Sequence, residues 1–345
     1  MNTMLVSASS ADFDEKIKEL GAVIRGGGLV GFPTETVYGL GGNALDPEAA
    51  KKIYAAKGRP SDNPLIVHVT GAAEAEELVR DVTPLERRLM EDFWPGPLTI
   101  VFPKKDIIPE ETSGGLPTVA LRCPSHPAAQ ALLRAAGVPI AAPSANVSGR
   151  PSPTRADDVL ADLSGKIEAV IDGGPCQIGL ESTIISCRTG EITIYRPGGV
   201  TAEMLAPYGK VRVDSALSAA GGHPLAPGMK YRHYAPRAPM VVYAGDSAKA
   251  EAEILRLSAE GRRYGYFVSR ELADRLPAGA DVFVWGERGD QAQMARRLFE
   301  GLHYFNDRPV EKIIGEGTAP TGIGQAIMNR LTKATGYHII IETSK

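Results

Sequence analysis

The sequence predicts an α/β protein with a twisted mixed sheet over residues 1–205 and a smaller, doubly wound parallel domain over residues 239–345. Three observations carry this. Apolar, β-branched runs bounded by glycine and proline recur through the first part. Residues 201–237 interrupt them with little periodicity and hold Ala219-Ala-Gly-Gly-His-Pro224, a linker composition. From Pro239 onward strands and helices alternate strictly, the pattern of a parallel Rossmann-like sheet.

In the first part strands are expected at 29–33, 65–69, 98–102, 119–123, 139–142, 169–172, 183–186 and 192–195. Amphipathic helices are expected at 12–25 and 46–56, with Asp12 and Asp46 as N-caps. In the second part the expected strands are 240–244, 264–268, 281–285 and 312–314. Helices at 247–260, 270–276, 291–305 and 322–335 follow them in turn.

Composition narrows the function classes. The chain has 345 residues, 43% of them apolar, a globular balance sufficient for two domains. No apolar run approaches the ~18 residues that span a bilayer, so no membrane role is expected. The first residues are acidic early and lack a basic n-region, and the three cysteines form no CxxC pair. Both features fit a cytoplasmic protein. A net charge of −3 offers no global field for RNA, although a local basic patch and weak RNA binding stay open. There is no Walker loop. Gly315-Glu-Gly317 begins a dinucleotide fingerprint, but Pro320 stands where its third glycine is needed.

Polar residues concentrate at strand ends of the first part. Pro33 to Gly41 brings hydroxyls, including Thr36, and glycines to the end of the first predicted strand, where a ligand crevice or an ordinary turn are both open. Lys57-Gly58-Arg59, followed by Asn63, sets two cations around a glycine, suited to phosphate or to a solvated loop. His68 shares a strand face with Ile66, and a lone histidine there is more often structural than catalytic. Ser144, Asn146 and Ser148 alternate, so an extended backbone would place them on one face, suited to phosphate oxygens or a metal-bridged triphosphate, whereas an Asn/Ser turn is equally open. Thr118 and Arg122 lie on one face of a strand, and Arg122 suits a substrate carboxylate. Gly179 to Thr183, with Ser182, and Tyr195 to Gly198, with Arg196, complete the set. No His, Cys, Asp or Glu cluster has metal-ligand spacing.

Taken in order, these segments resemble the YrdC/Sua5 family. Lys57-Gly-Arg59 with Ser144-Ala-Asn146 is similar to its KxR…SxN signature. Pro33 to Leu40, Phe93 to Thr99, Pro143 to Asn146 and Arg196-Pro-Gly198 match the same family in sequence. The tail is similar to the domain that separates the Sua5 form from single-domain YrdC, and Pro227 to Pro236 resembles the Sua5 linker. Cys123 and Ser125 depart from the usual aliphatic and acidic residues, and Cys187 from a frequent aspartate.

The resemblance implies an L-threonylcarbamoyladenylate synthase. It would join L-threonine, bicarbonate and ATP, with Mg2+ carried by ATP, for the threonylcarbamoyladenosine modification of tRNA. A downstream tRNA threonylcarbamoyl transferase machinery would take the product. Carried over by motif, Thr36, His68, Arg122, the backbone at Ala142 and Ser182 would hold threonine. Arg59, Asn63, Thr118, Ser144, Ser152 and Arg196 would hold ATP, with Lys57 and Asn146 near the phosphates and Lys57 and Arg59 carrying the catalytic charge. Residues 206–238 would fold over the site, bringing Tyr231, His233 and Tyr234 to the nucleotide. Two rivals stand beside this. A non-catalytic double-stranded RNA-binding module is opposed by the acidic net charge. A carbamoyl transferase resembling the YrdC-like part of hydrogenase-maturation proteins is opposed by the lack of an acylphosphatase-like segment or clustered zinc-finger cysteines.

Overall fold

The computed structural model describes residues 2–214 and 234–343. It divides into two compact units. One comprises residues 2–148, 152–177 and 181–214. The other comprises 149–151, 178–180 and 234–343.

The first unit is built on eleven strands: β1 Met4–Ser7, β2 Val30–Phe32, β3 Gly39–Asn43, β4 Ile66–His68, β5 Leu98–Pro103, β6 Thr118–Arg122, β7 Ile140–Ala141, β8 Ala169–Asp172, β9 Thr183–Ser186, β10 Ile192–Arg196 and β11 Val211–Val213. Their order across the sheet is β1-β8-β2-β3-β7-β4-β6-β5-β9-β10-β11. The sheet is mixed: β4 pairs β6 in parallel, whereas β7 pairs β4 and β5 pairs β6 antiparallel. Its helices are α1 Phe13–Arg25, α2 Pro47–Lys57, α3 Ala72–Leu78, α4 Pro84–Phe93, α5 Glu110–Ser113, α6 Pro127–Ala136, α7 Ala156–Leu163 and α8 Ala202–Leu205.

Three of these strands escape the sequence pattern. β1 and β11 are short edge strands, and Met4 and Leu5 on β1 are exposed. β3 reads Gly-Leu-Gly-Gly-Asn, a turn composition, yet it pairs with β2 and β7. The reason lies across the sheet. A Cβ at Gly41 would sit 2.8 Å from Ile140 Cγ2 and 2.9 Å from the Phe32 ring, so only glycine fits.

The two predicted caps behave differently. Asp46 is extended and its carboxylate accepts from Glu48 N, with Pro47 opening α2. Asp12 precedes α1 but has φ −95° and ψ 9°, and its side chain makes no cap bond. That backbone does not swing the carboxylate under the first-turn amides.

The second unit holds β12 Met240–Gly245, β13 Tyr264–Val268, β14 Asp281–Val284, β15 Lys312–Glu316 and β16 Ile339–Glu342. All pair in parallel, in the order β14-β13-β15-β12-β16. Helices α9 Ser247–Ser258, α10 Arg270–Ala273, α11 Gln291–Tyr304 and α12 Ile323–Ala334 intervene. β16 was not expected, and it adds a fifth strand at the sheet edge. Buried Phe267, Trp285, Phe299 and Phe305 fill this core. Among the described residues no helix is long and apolar enough to cross a membrane.

Candidate active site

The central strands of the first unit have two different faces. Val67, Ile100, Leu121 and Ile185 point into the main core. On the other face Ile66, Val101, Ala120 and Ile184 form a small separate apolar cluster, with Tyr195 against it. Register puts His68 beside Arg122, Arg122 beside Thr99, and Thr99 beside Ile184. Strand alternation places His68, Thr99, Arg122 and Thr118 on the same face as that cluster. An apolar floor thus carries a polar rim. His68, Arg122 and Thr99 lie toward one end, and Thr118 opens β6 at the other.

At the first end, Arg122 is held from two sides. Its Nη2 donates to Glu35 Oε1 at 2.7 Å and its Nε to the Gly96 carbonyl at 3.3 Å. Glu35 Oε2 accepts from Ser125 N at 3.0 Å. The two side chains are only 4% and 5% exposed. Burial alone would raise the Glu35 carboxyl, but the Arg122 charge and hydrogen bonds outweigh it and hold the group below its ordinary value. Arg122 Nη1 has no hydrogen-bond partner among the described residues. Glu35 is a member of the site that sequence reasoning missed, although it is the one acid in the hydroxyl-rich segment after β2.

His68 is buried, edge-on to Phe32 with ring centroids 5.8 Å apart, and its Nδ1 has no partner among the described residues. Burial, and then the Arg122 charge, push the imidazole down to about 3, so it is neutral. Thr36 is fixed by Thr34, whose Oγ1 accepts from Thr36 N, lies 2.8 Å from Thr36 Oγ1 and donates to the Val37 carbonyl. The Ala142 amide is committed to the Ile66 carbonyl at 2.8 Å. Any ligand contact at Ala142 therefore falls to its carbonyl. Ser182 Oγ lies 2.7 Å from Thr99 Oγ1 and accepts from Arg196 Nη2 at 3.1 Å, while Arg196 Nε holds the Ser182 carbonyl. Ser152 donates to Glu181 at 2.6 Å.

The second group gathers at the end of α2. Gly58 is left-handed (φ 60°, ψ 36°), which ends the helix and turns the chain between Lys57 and Arg59. Lys57 is 2% exposed and turned inward. Its Nζ donates to the carbonyls of Ser144 and Asn146, with Asn146 Oδ1 at 3.5 Å. Burial, and then the Arg59 charge, push the amine well below its ordinary value. Arg59 also serves carbonyls, those of Asn63 and Pro64 at 3.1–3.3 Å. Ser144 Oγ donates to Asn146 Oδ1 at 2.6 Å, so these two come together as alternation predicts. Ser148 instead gives its amide to the Lys57 carbonyl. Asn63 is buried with Oδ1 unpartnered among the described residues, an acceptor left for a ligand.

Of the three linker residues, Tyr231 and His233 lie outside the described residues. Tyr234 is buried in the second unit, with φ 65° and its ring 5.1 Å from Phe299. Among the described residues no three His, Cys, Asp or Glu side chains converge to hold a metal.

Comparison with known proteins follows the same division. A family model for Sua5, YciO and YrdC, described as telomere recombination, matches residues 22–198. A second, described as the C-terminal domain of threonylcarbamoyl-AMP synthase, matches residues 200–336. The chain is 46% identical to the threonylcarbamoyl-AMP synthase of Bacillus subtilis over 329 residues, 95% of each chain. It is 43% identical to that of Pyrococcus abyssi over 345 residues, covering 98% of this chain and 99% of the other. The crystal structure of P. abyssi Sua5 complexed with L-threonine aligns with a TM-score of 0.92 at 42% identity, over 100% of both chains. E. coli YciO shares the fold alone, with a TM-score of 0.51 at 23% identity over 57% of this chain.

Proposed function

This chain belongs to the Sua5/YrdC family in its two-domain Sua5 form, and from that premise we propose that it is a threonylcarbamoyl-AMP synthase acting on L-threonine, bicarbonate and ATP. The threonine amine adds to CO2 with loss of a proton, or to bicarbonate with loss of water, and so becomes an N-carboxy adduct. A carboxylate oxygen of the adduct attacks the α-phosphorus, the bond to the β-phosphate breaks, and pyrophosphate leaves. The adenylate product supplies the threonylcarbamoyl modification of tRNA through a downstream transferase. Cytoplasmic location fits that role.

The observation that carries the reading is Arg122. A guanidinium paired on one side with Glu35 and open at Nη1, above an apolar floor, suits an amino acid. The carboxylate goes to the cation and the side-chain methyl to the floor. Thr36, neutral His68, the Ala142 carbonyl and Ser182 supply the remaining contacts. Arg59, Asn63, Thr118, Ser144, Asn146, Ser152 and Arg196 serve the nucleotide, with Tyr231, His233 and Tyr234 from the linker. Lys57 acts by clamping the Ser144–Asn146 loop in place. Mg2+ enters with ATP and neutralises its phosphates. Catalysis is then positioning and charge neutralisation, with no covalent side chain.

The test is pyrophosphate release from ATP by the purified protein with Mg2+ and bicarbonate, with and without L-threonine. Release that needs both threonine and bicarbonate, with an adenylate of matching mass, is the expected result. Release indifferent to threonine would overturn the reading.

A further inference from the structure

Thr99 closes the Phe93 to Thr99 motif, and nothing in the reaction above uses it. It is fully buried on β5, beside Arg122 on one neighbouring strand and Ile184 on the other. Its hydroxyl lies 2.7 Å from Ser182 Oγ and has no other hydrogen-bond partner among the described residues.

The direction of that bond follows from counting protons and from which hydroxyl the substrate meets. A hydroxyl has one proton and two acceptor sites, whereas a guanidinium only donates. Arg196 Nη2 therefore fills one acceptor site of Ser182 Oγ. Either direction leaves one hydroxyl proton without an acceptor among the described residues: that of fully buried Thr99, which no substrate reaches, if Ser182 donates, or that of Ser182, which on the functional reading above meets the amino acid, if Thr99 donates, so substrate binding selects the second. With Thr99 donating, both acceptor sites of Ser182 are filled and its own proton points away from both neighbours.

We propose that Thr99 is a positioning residue that fixes Ser182 as a hydrogen-bond donor to the amino-acid substrate. The inference rests on the functional reading above. A donor at this place gives its proton to a carboxylate or hydroxyl oxygen and disfavours an ammonium group. It therefore orients the substrate with its amine turned elsewhere, toward bicarbonate. The polarity of this contact is set from inside the sheet, by a residue the substrate does not touch.

The experiment measures the KM for threonine and for ATP in Thr99→Val, Thr99→Ser, Ser182→Ala and the Thr99→Val/Ser182→Ala double variant, by threonine-dependent pyrophosphate release. Thr99→Val, which keeps shape and loses the donor, is expected to raise the threonine KM about tenfold, the worth of one oriented hydrogen bond. The ATP KM is expected to stay within about twofold, and Thr99→Ser to restore threonine KM. The double variant is expected to be no worse than Ser182→Ala, because Thr99 acts through Ser182. Should the valine variant fail to fold, Thr99→Cys, a weak donor, is expected to fall between wild type and Ser182→Ala. An unchanged threonine KM in Thr99→Val, effects that multiply in the double variant, or Thr99→Cys equal to wild type would each overturn the proposal. Wild-type protein that releases pyrophosphate without threonine would instead overturn the functional reading, and the proposal with it.

Discussion

Replacing Glu35 by glutamine keeps the side chain's shape and removes its charge from the buried pair with Arg122. Two donors converge on the carboxylate, Arg122 Nη2 at 2.7 Å and Ser125 N at 3.0 Å. An amide has one oxygen to offer them, and its NH2 then confronts the other donor. Arg122 stays buried without its counter-charge. Removing one partner of a buried pair costs about 3–5 kcal/mol. The Gly96 carbonyl still holds Arg122 Nε, so the lower end, about 3 kcal/mol, is expected. For a domain of this size that lowers Tm by about 6–12 °C. On the function proposed above, saturating L-threonine brings a carboxylate to the same guanidinium, so it should raise Tm more in Glu35→Gln than in wild type. The assay is a thermal melt of each protein with and without L-threonine. A Tm within about 1 °C of wild type would refute the stability argument. A threonine-induced rise no larger than in wild type would refute the placement of the substrate carboxylate at Arg122.

The same pair makes a pH prediction. Glu35 is depressed in the folded state, so its contribution is present above the ordinary carboxylate value of 4.5 and is lost as pH falls through the lower folded value. The Tm gap between wild type and Glu35→Gln should therefore shrink in acid, and melts from pH 7 down to about pH 3 check it. His68, depressed from 6.5 to about 3, is neutral when folded and takes a proton when unfolded between those values. Its burial thus makes stability fall as pH drops below 6.5, and His68→Gln should flatten that part of a stability–pH curve. Lys57→Met, which leaves the Ser144 and Asn146 carbonyls without their donor, is expected to lower kcat/KM for ATP about a hundredfold, corresponding to ~3 kcal/mol, with threonine KM little changed; steady-state kinetics with each substrate varied decide it. L-Valine should be turned over worse than L-serine, because a lost hydroxyl contact outweighs a lost methyl. Equal turnover in a competition assay would contradict a hydroxyl-reading pocket.

What could be read in advance divides by the distance over which a residue's role is decided. The second unit, its edge strand β16 aside, was legible because its signals are local. Asp246 and Asp290, for example, cap the helices that follow them through amides two or three residues away. β3 was not, because its glycines answer to Phe32 and Ile140 in other strands. The site shows the same division. Arg122, Ser144, Asn146 and Ser182 are polar residues at strand ends, visible as such. Glu35 was hidden, since its partner stands 87 positions away. Lys57 was seen as a cation suited to phosphate, but its acceptors are carbonyls 87 and 89 positions along the chain, and they turn it inward. Sequence thus reveals which polar groups converge, whereas the direction of each hydrogen bond depends on contacts made after folding. On the function proposed above, that direction bears on catalysis. Lys57, Arg59, Arg122 and Arg196 each hold at least one carbonyl or carboxylate of the protein. Groups anchored in this way need little reorganisation when a substrate arrives, and a site built of such groups can stabilise developing charge more effectively than mobile surface cations can.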